Sequence, residues 1–385
     1  MPAYPTPSIV QGTPVPIEAS SVSAVRVDGC APSEKPKVLE SDAAMSALKQ
    51  QHDWMWSHGL SATVARSVAA HPLRIVVLDN SGSMGASDGK RLVHHSGSMK
   101  TLQCTRWQEL ADDAVSLAKM SEALVARTDF VVLNPAPGLN AMSVCTDAFA
   151  GGIRPRGATG SSRTLQRALE TNGPRGSTPL TEAVMSVVSM IEPVAPRLRA
   201  DGQAVAVLIC TDGLPNDQHT FLQAMRLLQT LPVWCVVRLI TDDDAVVDYW
   251  NDLDKALEAP LEVLDDVRGE ALEVAKLNPW LTYAPPLHMA RLFGLPDKLF
   301  DALDEQALLP SQISAFVQML LGCDELPEPE LQPAAFLEAV SVALRSQPPA
   351  YDPRSGRMKP WLDLRALERA LHRRGQPPGL DCAIM

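Results

Sequence analysis

The sequence predicts an α/β protein built on a doubly wound, mostly parallel sheet with helices on both faces, of the Rossmann-like kind, with N- and C-terminal helical extensions. Three observations predict it. From Leu73 onward, short runs rich in Val, Ile and Leu alternate with longer runs whose apolar residues recur at helical spacing. The runs at 74–78 and 205–210 are almost wholly apolar, as strands covered on both faces require. Both lead straight into acids, Asp79 after "RIVVL" and Asp212 after "VLICT", where the rim of such a sheet would lie.

In chain order, residues 1–40 are rich in Pro, Ser and Thr without periodicity and read as a disordered or loosely packed lead. Residues 41–72 suit helices broken near Gly59. Strands are expected at 74–78, 130–133, 205–210, 233–240 and 261–264, within an α/β domain spanning 73–265. Helices between them are carried by "RWQELADDAVSLAKMSEALVAR", "STPLTEAVMSVVSMIEPVAPRL" and "DQHTFLQAMRLLQTL". Residues 86–104 interrupt the pattern between the first strand and its helix, and a hairpin is the expectation for them. After Asp266 no further strands are expected: residues 266–385 read as a helical extension punctuated by proline, in "DELPEPELQP" and "SQPPAYDPRSG".

With 46% apolar residues among 385, the chain can build a substantial core. Its net charge of −11, with Lys and Arg scattered, would repel phosphate backbones, so nucleic acid is excluded as the expected partner. Seven cysteines without CxxC spacing point to a reducing compartment and to no structural zinc. With no signal peptide and no apolar run of membrane-spanning length, a cytoplasmic protein is the expectation. The last four residues, "CAIM", fit the prenylation pattern and make Cys382 a candidate lipidation site; the competing reading is a cysteine placed there by chance. Membrane attachment is expected only if Cys382 is prenylated, and one lipid chain beside Arg373 and Arg374 would hold weakly.

The chemistry lies on the expected rim. In a doubly wound sheet ligands bind beyond the carboxyl ends of the strands, where connections switch direction. Asp79 belongs to "DNSGS", so Ser81 and Ser83 follow it at alternate positions, and Thr178 stands in a glycine-flanked loop, "RGSTPL", before a helix. Asp79, Ser81, Ser83, Thr178 and Asp212 are all hard oxygen donors, which suits Mg²⁺ or Mn²⁺ bound octahedrally.

This set, DxSxS with a distant Thr and a distant Asp, resembles the von Willebrand factor type A family with a complete metal-ion-dependent adhesion site, over about half the chain. The resemblance implies that Ser81 and Ser83 ligate the metal directly and Thr178 directly or through water. It implies that Asp79 and Asp212 act largely through water or through hydrogen bonds to the serines. A cation held by neutral hydroxyls stays electrophilic, and a carboxylate from a protein partner would complete its coordination. Without a signal peptide or disulfide framework, the chain is similar to the intracellular members. Residues 86–104 depart from the family pattern and would overhang the site.

The alternative is a Mg²⁺-dependent phosphatase-like hydrolase with Asp79 as nucleophile, but the second acid such enzymes need two residues later is Ser81. "GASDGKR" fails as a phosphate loop because Met84 stands where its first glycine belongs. Between Thr241 and Glu273, twelve Asp and Glu face only Lys255 and Arg268, nearly the whole net charge. Helix capping is the expected role of Asp242, Asp243 and Asp244.

Overall fold

The computed structural model describes residues 39–51, 55–95, 98–148, 157–258 and 261–373. The lead up to residue 38, Arg374 and Cys382 lie outside these residues. The chain opens with α1 (Ser41–Gln51) and α2 (His58–Ala70), then enters β1 (Leu73–Leu78). A single 3-10 turn, Gly82–Gly85, leads to β2 (Gly89–His95) and β3 (Ser98–Cys104), which pair only with each other and form the hairpin expected of the insertion. Next come α3 (Arg106–Leu124), β4 (Arg127–Ala136), β5 (Leu139–Val144), β6 (Ala158–Thr159), α4 (Ser162–Thr171), α5 (Leu180–Ile191) and α6 (Ala195–Ala200). The second half of the sheet follows as β7 (Val205–Thr211), α7 (Gln218–Gln229), β8 (Val233–Leu239), α8 (Asp244–Ala256) and β9 (Glu262–Leu264). Five helices follow, α9 (Val267–Leu277), α10 (Pro285–Leu292), α11 (Lys298–Glu305), α12 (Pro310–Leu321) and α13 (Pro333–Arg345), and then β10 (Ala350–Asp352), β11 (Arg357–Lys359) and a sixth helix, α14 (Leu364–Arg373).

The fold is α/β, with a seven-stranded sheet in the order β6-β5-β4-β1-β7-β8-β9. All neighbours are parallel except β4 and β5. The chain leaves β1 toward β4 on one side and leaves β7 toward β8 on the other, so the switch in direction falls between β1 and β7. Leu78 is level with Cys210, which sets the ends of the two strands side by side.

Strand side chains alternate between two cores. Val76 and Leu78 join Leu208, Cys210 and Val236 in one, while Ile75 and Val77 join Val207, Ile209 and Val237 in the other. The second core is closed by α5, α7 and α8 through Val184, Phe221, Met225 and Trp250. The first is closed by α3 together with both terminal regions: Trp56, Trp280, Phe316 and Trp361 all lie in the same buried cluster as the sheet. The helices expected as extensions therefore supply one of the sheet's two layers. Strand β5 with its antiparallel pairing to β4, its pairing with β6 at the sheet edge, and the β10–β11 ribbon beyond Asp266 were not anticipated. The expectation that strands stop after Asp266 is corrected by that ribbon, which is three residues on each side, too short for an alternating pattern to register.

Two buried groups lock α2 to β1. Arg74 donates to Phe293 O (3.0 Å), His71 O (2.8 Å) and Ser67 Oγ (3.2 Å), with its guanidinium 3.7 Å above the Phe293 ring. His71 is buried, its Nδ1 has no hydrogen-bond partner, and burial, reinforced by Arg74, lowers its pKa to about 3. Between that value and the ordinary one of about 6.5, the unfolded chain binds a proton that the folded chain does not. Stability is therefore expected to fall as pH drops below about 6.5, by roughly 2 kcal/mol between about pH 7 and about pH 5. In urea unfolding, His71→Gln should lose that share of the pH dependence; an equal decline in both proteins would contradict the assignment.

Candidate metal centre

The ladder between β1 and β7 continues one residue past Leu78, because the Asp79 N–H donates to Cys210 O (2.9 Å). This places the Asp79 carboxylate beside Thr211, whose hydroxyl donates to Oδ2 (2.6 Å). The other oxygen, Oδ1, accepts from the Ser81 N–H (2.8 Å), the i to i+2 bond with which aspartate commonly initiates a turn. Asp79 is 0% exposed, and burial raises its carboxyl above the usual range, against the lowering effect of those hydrogen bonds and with a further push from Asp212.

The turn brings Ser81 Oγ and Ser83 Oγ to 3.0 Å from each other, and Ser83 Oγ donates to Asp212 Oδ1 (2.9 Å). The Ser83 proton is committed to Asp212, while the Ser81 hydroxyl stands between Ser83 and the Asp79 carboxylate, and both hydroxyls keep lone pairs.

Thr178 reaches this rim on a loop clamped from both sides. Gly82 N–H donates to Gly176 O (3.1 Å) and Arg175 N–H to Asn80 O (2.6 Å). Asn80, fully buried, exchanges hydrogen bonds with the Asn134 backbone (2.7 and 2.8 Å), and Asn134 Nδ2 donates to Ser177 O (2.8 Å). Gly176 has φ +75°, and a Cβ there would stand 2.4 Å from Asn134 Oδ1, so both conformation and space call for glycine. On the far side Thr178 N–H donates to Asn216 Oδ1 and Asn216 N–H to Thr178 O, both at 3.3 Å. Among the described residues the Thr178 hydroxyl is engaged in no hydrogen bond.

All five oxygen-bearing residues therefore sit on three loops that are hydrogen-bonded to one another at the switch point. Adjacent ligands of an octahedral ion with bonds of about 2.1 Å stand about 3.0 Å apart, and the Ser81–Ser83 separation of 3.0 Å matches that edge. With no nitrogen or sulfur among the donors, the set fits Mg²⁺ or Mn²⁺.

Asn80, Asn134, Asn216 and Arg106 escape a reading of the sequence. The asparagines carry one usable signal, since Asn80 follows β1 and Asn134 lies in β4 two residues past Val132, which is level with the end of β1. Arg106, the first residue of α3, carries none, yet its Nη1 donates to Asp212 Oδ2 (2.9 Å) while Nε and Nη2 grip Asp88 (2.7 and 2.6 Å). This pair closes the neck of the hairpin expected to overhang the site.

The acidic run is explained in part by capping and in part by basic partners, and Asp242, expected as a cap, instead pairs with Lys90. Asp243 caps α8 and Asp266 caps α9. Asp242, Asp265 and Asp266 bring carboxylate oxygens within 4.8 Å of one another. Lys90 from the hairpin already places its ammonium among them, 2.8 Å from Asp242 and 2.9 Å from Asp266. None of the five rim residues lines the cleft of about 750 Å³ between the hairpin, α3 and α10. Within that cleft Arg91 pairs with Asp112, and Arg238 with Glu109 and Asp113.

No helix among the described residues is long and apolar enough to cross a membrane. Neither the models of known protein families nor the curated proteins contain a match to this chain.

Proposed function

We propose that residues 73–265 form a von Willebrand factor type A domain that binds Mg²⁺ or Mn²⁺ and recognises an acidic residue of a protein partner. The observation that carries this reading is the hydrogen-bonded set of Ser81, Ser83 and Asp212, its two hydroxyls 3.0 Å apart, at the switch point of the sheet. Ser81 and Ser83, with Thr178 on the adjoining loop, would hold the ion through neutral hydroxyls. Asp79 and Asp212 stand behind them: Asp212 receives the Ser83 proton, and Asp79 fixes the turn through the Ser81 N–H. When bound, the ion supplies an electrophilic position for a partner carboxylate.

The phosphatase-like alternative needs Asp79 as a nucleophile. Both of its oxygens are engaged, by Thr211 and Ser81, and it is 0% exposed, which leaves no line of attack on a phosphoester and counts against that reading.

The test is capture of partners on immobilised protein. Proteins retained in Mg²⁺ should elute with a chelator, and Asp79→Ala should retain none of them while staying folded. Retention indifferent to both chelator and substitution would reject metal-dependent adhesion. Turnover of a generic phosphoester that vanishes with Asp79→Asn would establish the hydrolase instead.

A further inference from the structure

We infer that Arg106 is the residue that makes this site hold its cation weakly until an anionic ligand arrives; the inference rests on the metal-site reading above. The two acids behind the hydroxyls are what would balance an incoming divalent ion. Asp212, the one joined directly to Ser83, is already satisfied on both oxygens, by the Ser83 hydroxyl at Oδ1 and by the Arg106 guanidinium at Oδ2, each at 2.9 Å.

The guanidinium is held in place rather than free to swing away. Its side chain is only 16% exposed, Arg106 N–H donates to Ala86 O (3.0 Å), and Asp88 grips the opposite edge of the fork. The Asp88 side chain is 57% exposed, so water screens its charge while Asp212, with a side chain 0% exposed, feels the guanidinium fully. Arg106 is therefore a fixed positive charge one carboxylate removed from the proposed ion.

Its physical effect is twofold. It opposes a second cation on the serines, and it leaves the loaded site with excess positive charge that an incoming carboxylate relieves. Asp88, within the insertion that departs from the family pattern, and Arg106, the first residue of α3, bracket the hairpin, so the insertion supplies the acid that holds this charge in place. Arg106 acts through Asp212 and is a positioning and specificity-determining group.

The test is calorimetric titration of the full chain with Mn²⁺, alone and with acetate at constant ionic strength against chloride. Wild type should bind Mn²⁺ weakly alone and more tightly in acetate. Arg106→Gln, which can still donate to Asp212 but carries no charge, should bind Mn²⁺ alone about tenfold more tightly and lose most of the acetate effect. Asp88→Asn, on an exposed carboxylate where folding is not at stake, should weaken Mn²⁺ binding alone about threefold and enlarge the acetate effect.

Unchanged or weaker Mn²⁺ binding by folded Arg106→Gln, or tighter binding by Asp88→Asn, would reduce Arg106 to a structural tie and overturn the inference while leaving the metal site standing. No Mn²⁺ binding by wild type, with or without acetate, would overturn the metal site itself.

Discussion

Replacing Asp212 with alanine is expected to lower Mn²⁺ affinity by about two orders of magnitude, the upper end of what outer partners of metal ligands contribute. The substitution removes the acceptor of the Ser83 proton, and the Ser83 hydroxyl loses the bond that directs its lone pairs outward. Arg106 simultaneously loses its inner partner, so the guanidinium is left with only the exposed Asp88 to balance it. Both changes act against a cation. Asp212 lies just beyond the end of β7, and circular dichroism should be that of wild type. Calorimetric titration checks the first effect. Affinity within threefold of wild type would show that Asp212 does not support the ion.

The second large effect concerns stability. Arg291 is buried on α10 and reaches three carboxylates: Nε donates to Glu262 (2.6 Å), Nη1 to Glu270 (2.5 Å) and Nη2 to Asp304 (3.1 Å), with Tyr283 Oη 3.2 Å from Nη1. Glu262 belongs to the sheet edge, Glu270 to α9 and Asp304 to α11, so one guanidinium joins the sheet to the helices that follow it. Burial raises Glu262 to about 7 and Glu270 to about 8 even with Arg291 beside them. Without it, either the charges stay buried and unpaired or protons must be taken up. Arg291→Met is expected to cost about 3–5 kcal/mol, and Arg291→Lys nearly as much, since one ammonium cannot replace a fork shared among three acids. Urea unfolding measures both. Restoring part of the loss with Glu262→Gln and Glu270→Gln in the Met background would confirm the cause, and a loss under about 1 kcal/mol would refute it.

How far the molecule was legible in its sequence depended on where each signal lay. The central strands announced themselves because a strand covered on both faces must be apolar throughout, as 74–78 and 205–210 are. Asp79 and Asp212 marked the rim because each follows directly on such an apolar run. The hairpin of the insertion was likewise foreseeable from the break in the strand–helix alternation. The layer formed by α1, α2 and the later helices was not, because Trp56, Trp280 and Trp361 meet the sheet through contacts that no local periodicity encodes. Arg106 looked like an ordinary helix start, and its bond to a residue 106 positions away could not be read from either neighbourhood. The Lys90 clasp on Asp242 and Asp266 was hidden for the same reason.

The central claim is that a divalent ion sits on the hydroxyls of Ser81 and Ser83. Anomalous diffraction from a crystal grown in Mn²⁺ tests it most directly. A peak about 2.1–2.2 Å from both Ser81 Oγ and Ser83 Oγ is the expected result. Strong Mn²⁺ density among Asp242, Asp265 and Asp266, with Lys90 displaced and nothing at the serines, would contradict it.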